Sequence, residues 1–532
     1  MTGAGDTTRP SPAEVRGGRE SFYVALGLAV LYTFMLMLSD AGVLLTRPLW
    51  VDEVWTVLVS GQSSPWAVLA SLANGADGGS GLVHLGAWAL QKIAGVPSPV
   101  TLRVLSLVIV LAALVLVHAT LRRRFSQDAS VAGVLAIGSH YLVVTHAFEA
   151  RFYGPWLLCC ALVAFALGRH QSAPTRRRAV LLGAASVLLC TVHFYGAITL
   201  ALMAAGVVAS HGRRWREGLR LVAPTAAGLL AFLAILPMAI GMRTAFSVAT
   251  WVPEFELRQM RALSQQFWTA KVALIGLAAL LAGIAVSRVR RSSHTFMTVA
   301  RAASHDAGIV ALASLILVPV ALAAVTLAGQ PSMLPRYNIA TALAWGPLFA
   351  LAMELLGKWP SRIARVVLVI YWFATFVTVR FEKIVFAGDV DEAEAALKLA
   401  EAQNAPIVFQ SVHTFYPVWA RDRSRARRVG FLEMSDSTFR RMFRSGTVNE
   451  MYNRGLVLDR DIVRTHARRF GVPTLVSEAA LDTARRFVLI APPAHLPYGF
   501  RSIERFTRSV FPDHRVTPLD FSSALLERDR TP

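Results

Sequence analysis

Asp52 and Glu53 stand side by side in the stretch Arg47-Pro-Leu-Trp-Val-Asp-Glu-Val-Trp55, just beyond a long apolar run. A charged group at a bilayer boundary costs free energy unless it meets water, a cation or a hydrogen-bond donor. An acidic pair flanked by Trp50 and Trp55 is therefore either a working site or two loop charges in the headgroup zone. Three other polar groups fall at the ends of apolar runs: Glu149-Ala-Arg151, His193-Phe-Tyr195 and Arg336-Tyr337. Glu149 and Arg151, two apart, would point to different sides of a helix but could pair in a short turn. His193 could cap a helix or act chemically, and Tyr195 has the usual interfacial preference of tyrosine. Arg336 follows Pro331 and Pro335 in an otherwise neutral loop, where binding an anion is the economical explanation and snorkelling to a headgroup the alternative.

The elements that would position these groups are membrane spans. Of 532 residues, 55% are hydrophobic and only 16% charged, and the mean hydropathy is positive. Apolar stretches of about 20 residues recur, each long enough to cross a hydrocarbon core of about 30 Å. The formal charge of +21 could suggest nucleic acid. Arginines concentrated in short loops between apolar runs are instead what the positive-inside rule predicts, so no nucleic-acid partner is expected. Cys159, Cys160 and Cys190 all lie within apolar runs and lack metal-site spacing, which supports neither a disulfide framework nor a zinc site. The first run, preceded by Arg9, Arg16 and Arg19, is too long for a signal peptide and has no convincing cleavage site.

Hydropathy places spans near 22–44, 100–120, 129–147, 152–168, 179–193, 195–210, 219–241, 271–287, 307–328, 338–356 and 364–380, about eleven in all. Between the first two, stretches near 54–73 and 81–94 have the character of helices lying in the interface. Basic clusters at Arg122 to Arg124, Arg176 to Arg178, Arg213, Arg214 and Arg216, and Arg288 to Arg291 mark cytoplasmic turns. The expected fold is thus a polytopic α-helical membrane protein: a cytoplasmic tail over 1–21, a membrane domain over 22–380, and a small extracytoplasmic α/β domain over 381–532. In the tail, the acidic amphipathic stretch Asp389 to Gln403 precedes a strand-like Pro406 to Gln410, and Arg486 to Ile490 reads as another strand.

This topology places Asp52 and Glu53, Glu149 and Arg151, His193, and Arg336 all at the outer membrane face, opposite a face that is simply basic. Shared sidedness is the strongest argument from the residues that they belong to one site.

Together these residues resemble the membrane glycosyltransferases of the C-type fold that use polyprenyl-phosphate sugars, a group including protein O-mannosyltransferases and aminoarabinose transferases. The acidic pair after the first span looks like the first-loop motif of that family. Glu149-Ala-Arg-Phe-Tyr153 is similar to its Glu-Ala-Arg-Pro-Tyr pattern, His193-Phe-Tyr195 to its His-Tyr-Tyr pattern, and Arg336-Tyr337 to its late Arg-Tyr element. Where relatives often carry His-Pro-Pro, this chain has Gly78-Gly-Ser-Gly81 followed by Leu82-Val-His84, which makes His84 a displaced candidate for holding a metal or acceptor. Phe152 replaces the frequent proline.

The resemblance implies transfer of a sugar from a polyprenyl-phosphate donor to a cell-envelope acceptor (glycan, lipid or protein) at the outer face of the bacterial plasma membrane, with inversion. Such transfer needs a base for the acceptor hydroxyl, stabilisation of positive charge on the sugar, and neutralisation of the departing phosphate. Asp52 is the expected base, and Glu53 orients the acceptor or a divalent cation. Arg336, with Arg151 and His193, binds the phosphate; Glu149, Tyr195 and Tyr337 complete the substrate-binding set. Two rivals stand beside this reading: a transporter or lipid flippase, and a non-catalytic scaffold of the same fold. A transporter would more commonly show repeated halves and polar groups near the bilayer midplane.

Overall fold

The computed structural model describes residues 12–38, 42–79, 81–95, 99–246, 276, 278–284, 286, 293–328, 334–356, 358–424, 429–433, 460–490, 507, 510–519 and 523–528. The chain forms two compact units. One comprises Met1–Gly42, Arg103–Ala234 and Glu254–Val379; the other comprises Val43–Leu102, Ile235–Pro253 and Arg380–Pro532.

The first unit is helical. Among the described residues, five helical runs are long and apolar enough to cross a bilayer: Pro99–Leu121, Gly212–Gly241, Ala307–Leu327, Arg336–Leu356 and Ser361–Ile384. The chain is a multi-pass membrane protein of helices, as its hydropathy requires. The expected count of eleven is not reproduced span for span. The stretch near 129–147 is a bent pair, Gln127–Gly138 and Tyr141–Ala147, whose axes differ by 67°. The break falls at Ser139 and His140, where the His140 side chain accepts from the Leu142 N–H and so starts a new helix. The expected spans near 179–193 and 195–210 are the helices Arg176–Val192 and Gly196–Ser210, of 17 and 15 residues. Of the span expected near 271–287, residues 276, 278–284 and 286 are described and helical, while the cluster Arg288 to Arg291 lies outside the described residues.

Close helix packing in this unit relies on small residues, as membrane helices do when lipid offers no solvophobic drive. A side chain at Gly133 would strike the backbone of Gly346, and one at Gly138 the ring of Trp372. Trp372, Tyr32, Phe148 and Phe376 form a buried aromatic group, with Tyr32 edge-on to Trp372 at 5.0 Å. All three cysteines are buried.

The second unit begins with three short helices, Val51–Ser60, Pro65–Ala73 and Gly81–Ala94. The stretch expected near 54–73 is divided at Gly61 to Ser64 because Ser64 caps a new helix opened by Pro65. Val59, Val68, Leu72 and Ala76 are fully buried among them, with Leu85, Trp88, Met238 and Phe470 packed alongside. The tail does not start as a separate element at 381: one helix runs unbroken from Lys358 to Glu401 through that position. No proline or glycine pair interrupts it where the composition changes, so the boundary is one of polarity and not of backbone.

Beyond that helix lies a six-stranded sheet: β1 (Ile407–Phe409), β2 (Val429–Glu433), β3 (Thr474–Ser477), β4 (Arg486–Ile490), β5 (His514–Pro518) and β6 (Ser523–Arg528), in the order β3-β2-β1-β4-β6-β5. Strands β3, β2, β1 and β4 are parallel, with Ile407 opposite both Val429 and Val488, while β6 and β5 add antiparallel. Central parallel strands are covered on both faces and read as continuous apolar runs, which is why Ile407–Phe409 and Phe487–Ile490 are buried at every position. Val408, Leu432, Phe487, Leu489 and Phe511 form one face of the core. On the other, Phe415 packs edge-on against Phe409 and Phe431.

Candidate active site

The helix Val51–Ser60 is rich in β-branched residues and gains little from propensity, so its start must be held by specific bonds. Glu53 provides them. Its Oε2 accepts the Trp50 backbone N–H at 2.9 Å, closing the first turn from its third position, and lies 3.2 Å from Arg47 Nη1. Both side chains of this ion pair are wholly buried. Asp52, one residue earlier, is 6% exposed and points its backbone carbonyl at the Thr56 hydroxyl, 3.2 Å away. Two carboxylates in a first helical turn also sit favourably against the helix dipole.

A third buried carboxylate lies in the same unit. After Pro65–Ala73 the chain reverses through Gly75, whose φ of +76° favours glycine, and delivers Asp77 into the interior. Asp77 Oδ1 accepts the Gly78 N–H at 2.6 Å. Its Oδ2 lies 2.8 Å from His84 Nε2 and 3.4 Å from the Thr56 hydroxyl. His84, placed by Gly81–Ala94, is fully buried, so its observed partner is a carboxylate.

The turn before Asp77 is clamped by the sheet-bearing region. His466, on the helix Arg460–Phe470, donates from Nε2 to the Ala76 carbonyl at 2.6 Å. Its Nδ1 therefore accepts from the Tyr416 hydroxyl, 2.7 Å away. Trp55 stands edge-on to both rings, at 5.7 Å from His466 and 6.2 Å from Tyr416. Burial pushes the His466 imidazole down to about 4, against smaller opposing effects of the Ala76 carbonyl and the Asp77 charge.

The remaining candidates belong to the first unit, and there they are gathered. His193 terminates the helix Arg176–Val192 in extended backbone, and its Nδ1 accepts the Tyr195 backbone N–H at 3.1 Å. The ring is stacked on Trp156 at 4.5 Å and 6°, and touches Phe152 at 4.4 Å. Tyr337 lies 5.9 Å from His193 and 4.9 Å from Tyr195. The guanidinium of Arg151 covers the Phe152 ring at 4.7 Å, and that of Arg336 sits 5.7 Å from the Tyr337 ring. Both arginines bear electrostatically on His193. With Nδ1 accepting, the ring proton is on Nε2, which is buried without a protein hydrogen-bond partner among the described residues. An imidazole N–H under the charge of two guanidinium groups has the chemistry that an anion would require. Glu149 turns to His146, with Oε2 2.6 Å from Nδ1.

Asp52, Glu53 and His84 thus belong to one unit, and Glu149, Arg151, His193, Tyr195, Arg336 and Tyr337 to the other. Sequence reasoning did not single out Asp77, His466 or Tyr416. Asp77 sits in a glycine-rich turn and His466 in an arginine-rich helix, and neither carries a local signal of burial. Among the described residues no group of three or more His, Cys, Asp or Glu side chains is placed to hold a metal ion, so no step is derived through one.

No family model matches the sequence, and no curated protein matches it. Solved structures do share its fold. The crystal structure of ArnT from Cupriavidus metallidurans bound to undecaprenyl phosphate superposes with a TM-score of 0.56 over 96% of this chain and 99% of that one, at 13% identity. The apo ArnT structure gives 0.52 over 94% and 98%, also at 13% identity. The fold expected from the four motifs is the fold the chain has, over nearly its whole length.

Proposed function

We propose that this multi-pass membrane protein is a glycosyltransferase that takes a sugar from a polyprenyl-phosphate donor and passes it, with inversion, to a cell-envelope acceptor at the outer face of the bacterial plasma membrane. The observation that carries the reading lies in the first unit: the buried Nε2 of His193, on which the charges of Arg151 and Arg336 act. A lipid phosphate is the anion for which a membrane protein would build such a group, and ArnT, whose fold the chain shares, has been crystallised with undecaprenyl phosphate.

In this mechanism Arg336, Arg151 and the His193 Nε2–H neutralise the phosphate as its bond to the sugar breaks. Asp52 accepts the acceptor's hydroxyl proton. A carboxylate is a much weaker base than an alkoxide, so proton transfer is late and coupled to attack on the anomeric carbon. Glu53, spent on Arg47 and the Trp50 N–H, holds the helix that presents Asp52. Tyr195 and Tyr337 supply aromatic surface beside the phosphate ligands. The N-terminus is cytoplasmic and the sheet-bearing region extracytoplasmic. The transporter and scaffold readings draw no support from the fold comparison.

The test is transfer of a radiolabelled sugar from polyprenyl phosphate to envelope acceptors, comparing the parent protein with Asp52→Asn. Loss of transfer in a folded variant is expected. Equal activity in both removes Asp52 as the base.

A further inference from the structure

A second polar site lies in the first unit, apart from His193 and its arginines. At the end of the unit that carries the basic clusters, a cavity of about 580 Å³ is lined by His170, His211 and His305 together with Arg214, Glu217 and Arg220. Three chain segments converge on it. His170 comes from the last turn of Tyr153–Ser172, and the two arginines and Glu217 lie at or just before the helix Trp215–Val222. His305 is tied in by Gln171, whose amide donates to the His305 carbonyl at 2.6 Å and accepts the Ala307 N–H at 2.8 Å.

The charge balance of the lining is cationic. Glu217 is matched by Arg214 at 3.6 Å, which leaves Arg220 in excess. Asp306, the nearest carboxylate in sequence to His305, is buried and committed to Arg123 and Arg124 at 3.1 and 3.3 Å while it caps the helix Ala307–Ser314. Arg178 adds a further fixed cation beside His170 by bonding the carbonyls of Arg169 and Ala173. His170 is only 7% exposed, and its Nδ1 has no hydrogen-bond partner among the described residues.

The neighbouring surface identifies the source of that ligand. Trp215 and Leu219, one turn apart, are about half exposed at the start of the apolar run Gly212–Gly241. Tryptophan at the end of a membrane helix marks headgroup depth, and arginines beside it snorkel toward lipid phosphates. We infer that this cavity binds the phosphate of an anionic membrane lipid, held by Arg220 on a wall shared with His170 and Arg214. The site is separate from the donor site and does not depend on the proposed reaction.

The experiment uses the full chain in phosphatidylcholine nanodiscs with and without phosphatidylglycerol, reading retained phosphatidylglycerol by native mass spectrometry. Arg220→Gln is compared with Arg216→Gln, which removes the same charge from the same helix outside the cavity lining. Arg220→Gln should weaken retention about fivefold and Arg216→Gln by less than about twofold. Equal losses would mean a diffuse surface charge effect and overturn the site, as would unchanged retention in Arg220→Gln. A parallel arm titrates inorganic phosphate. If it displaces phosphatidylglycerol at matched concentration, the pocket reads free phosphate and the lipid assignment is overturned.

Discussion

Adjacent carboxylates, one of them committed to structure, are the central feature at the level of single residues. Glu53 is wholly buried, paired with Arg47 and bonded to the start of its own helix. Removing one partner of such a pair strands the other charge and costs about 3–5 kcal/mol. Glu53→Ala should therefore lower the thermal midpoint sharply in detergent, and a melt unchanged from the parent would disprove its structural role. Asp52→Asn should leave the melt intact while reducing transfer about 10²–10⁴-fold, the range for loss of a general base. For His193 the expected outcome is different again. His193→Phe keeps the stacking on Trp156 but removes the Nε2 donor, so single-turnover transfer should fall with little change in stability. A loss of fold in that variant would show the imidazole to be a packing group first.

Among the elements, the contact between the helix Arg460–Phe470 and the turn at Ala76 invites a pH experiment. His466 is held neutral between Tyr416 and the Ala76 carbonyl, with its pKa lowered to about 4 from an ordinary value near 6.5. The unfolded chain binds this proton more readily than the folded one between those values. Its contribution, on the order of 3 kcal/mol, is fully present above about pH 6.5 and lost as pH falls through about 4. Denaturant melts of the parent should weaken over that window, and those of His466→Asn should weaken less. A parallel decline in both would assign the acid sensitivity to other groups. The bent pair Gln127–Gly138 and Tyr141–Ala147 illustrates a limit of hydropathy: both halves are apolar, so a window average sees one span where capping by His140 makes two.

For the molecule as a whole, the proposed binding of a lipid phosphate can be tested without knowing the sugar or the acceptor. Undecaprenyl phosphate at 100 times its dissociation constant should stabilise the full chain by about 2.7 kcal/mol. Arg336→Gln should remove most of that shift, whereas Arg220→Gln, in the separate basic cavity, should keep it. Orientation is open to reporter fusions. A fusion at residue 400 should report the outer side, and a cytoplasmic signal there would dissolve the argument that the motifs share one face.

The amino acids alone were enough to indicate membrane embedding, short helices in the first loop, two central strands and four motif groups, because hydropathy and short polar motifs are local properties. Ile407–Phe409 and Arg486–Ile490 could be recognised as strands since buried parallel strands are continuous apolar runs. Folding decided which partners the polar groups take. Nothing local distinguishes Glu53 from Asp52, yet the approach of Arg47 commits one of them to its own helix. Likewise His466 found a carbonyl 390 residues away, through packing that no short window of residues encodes.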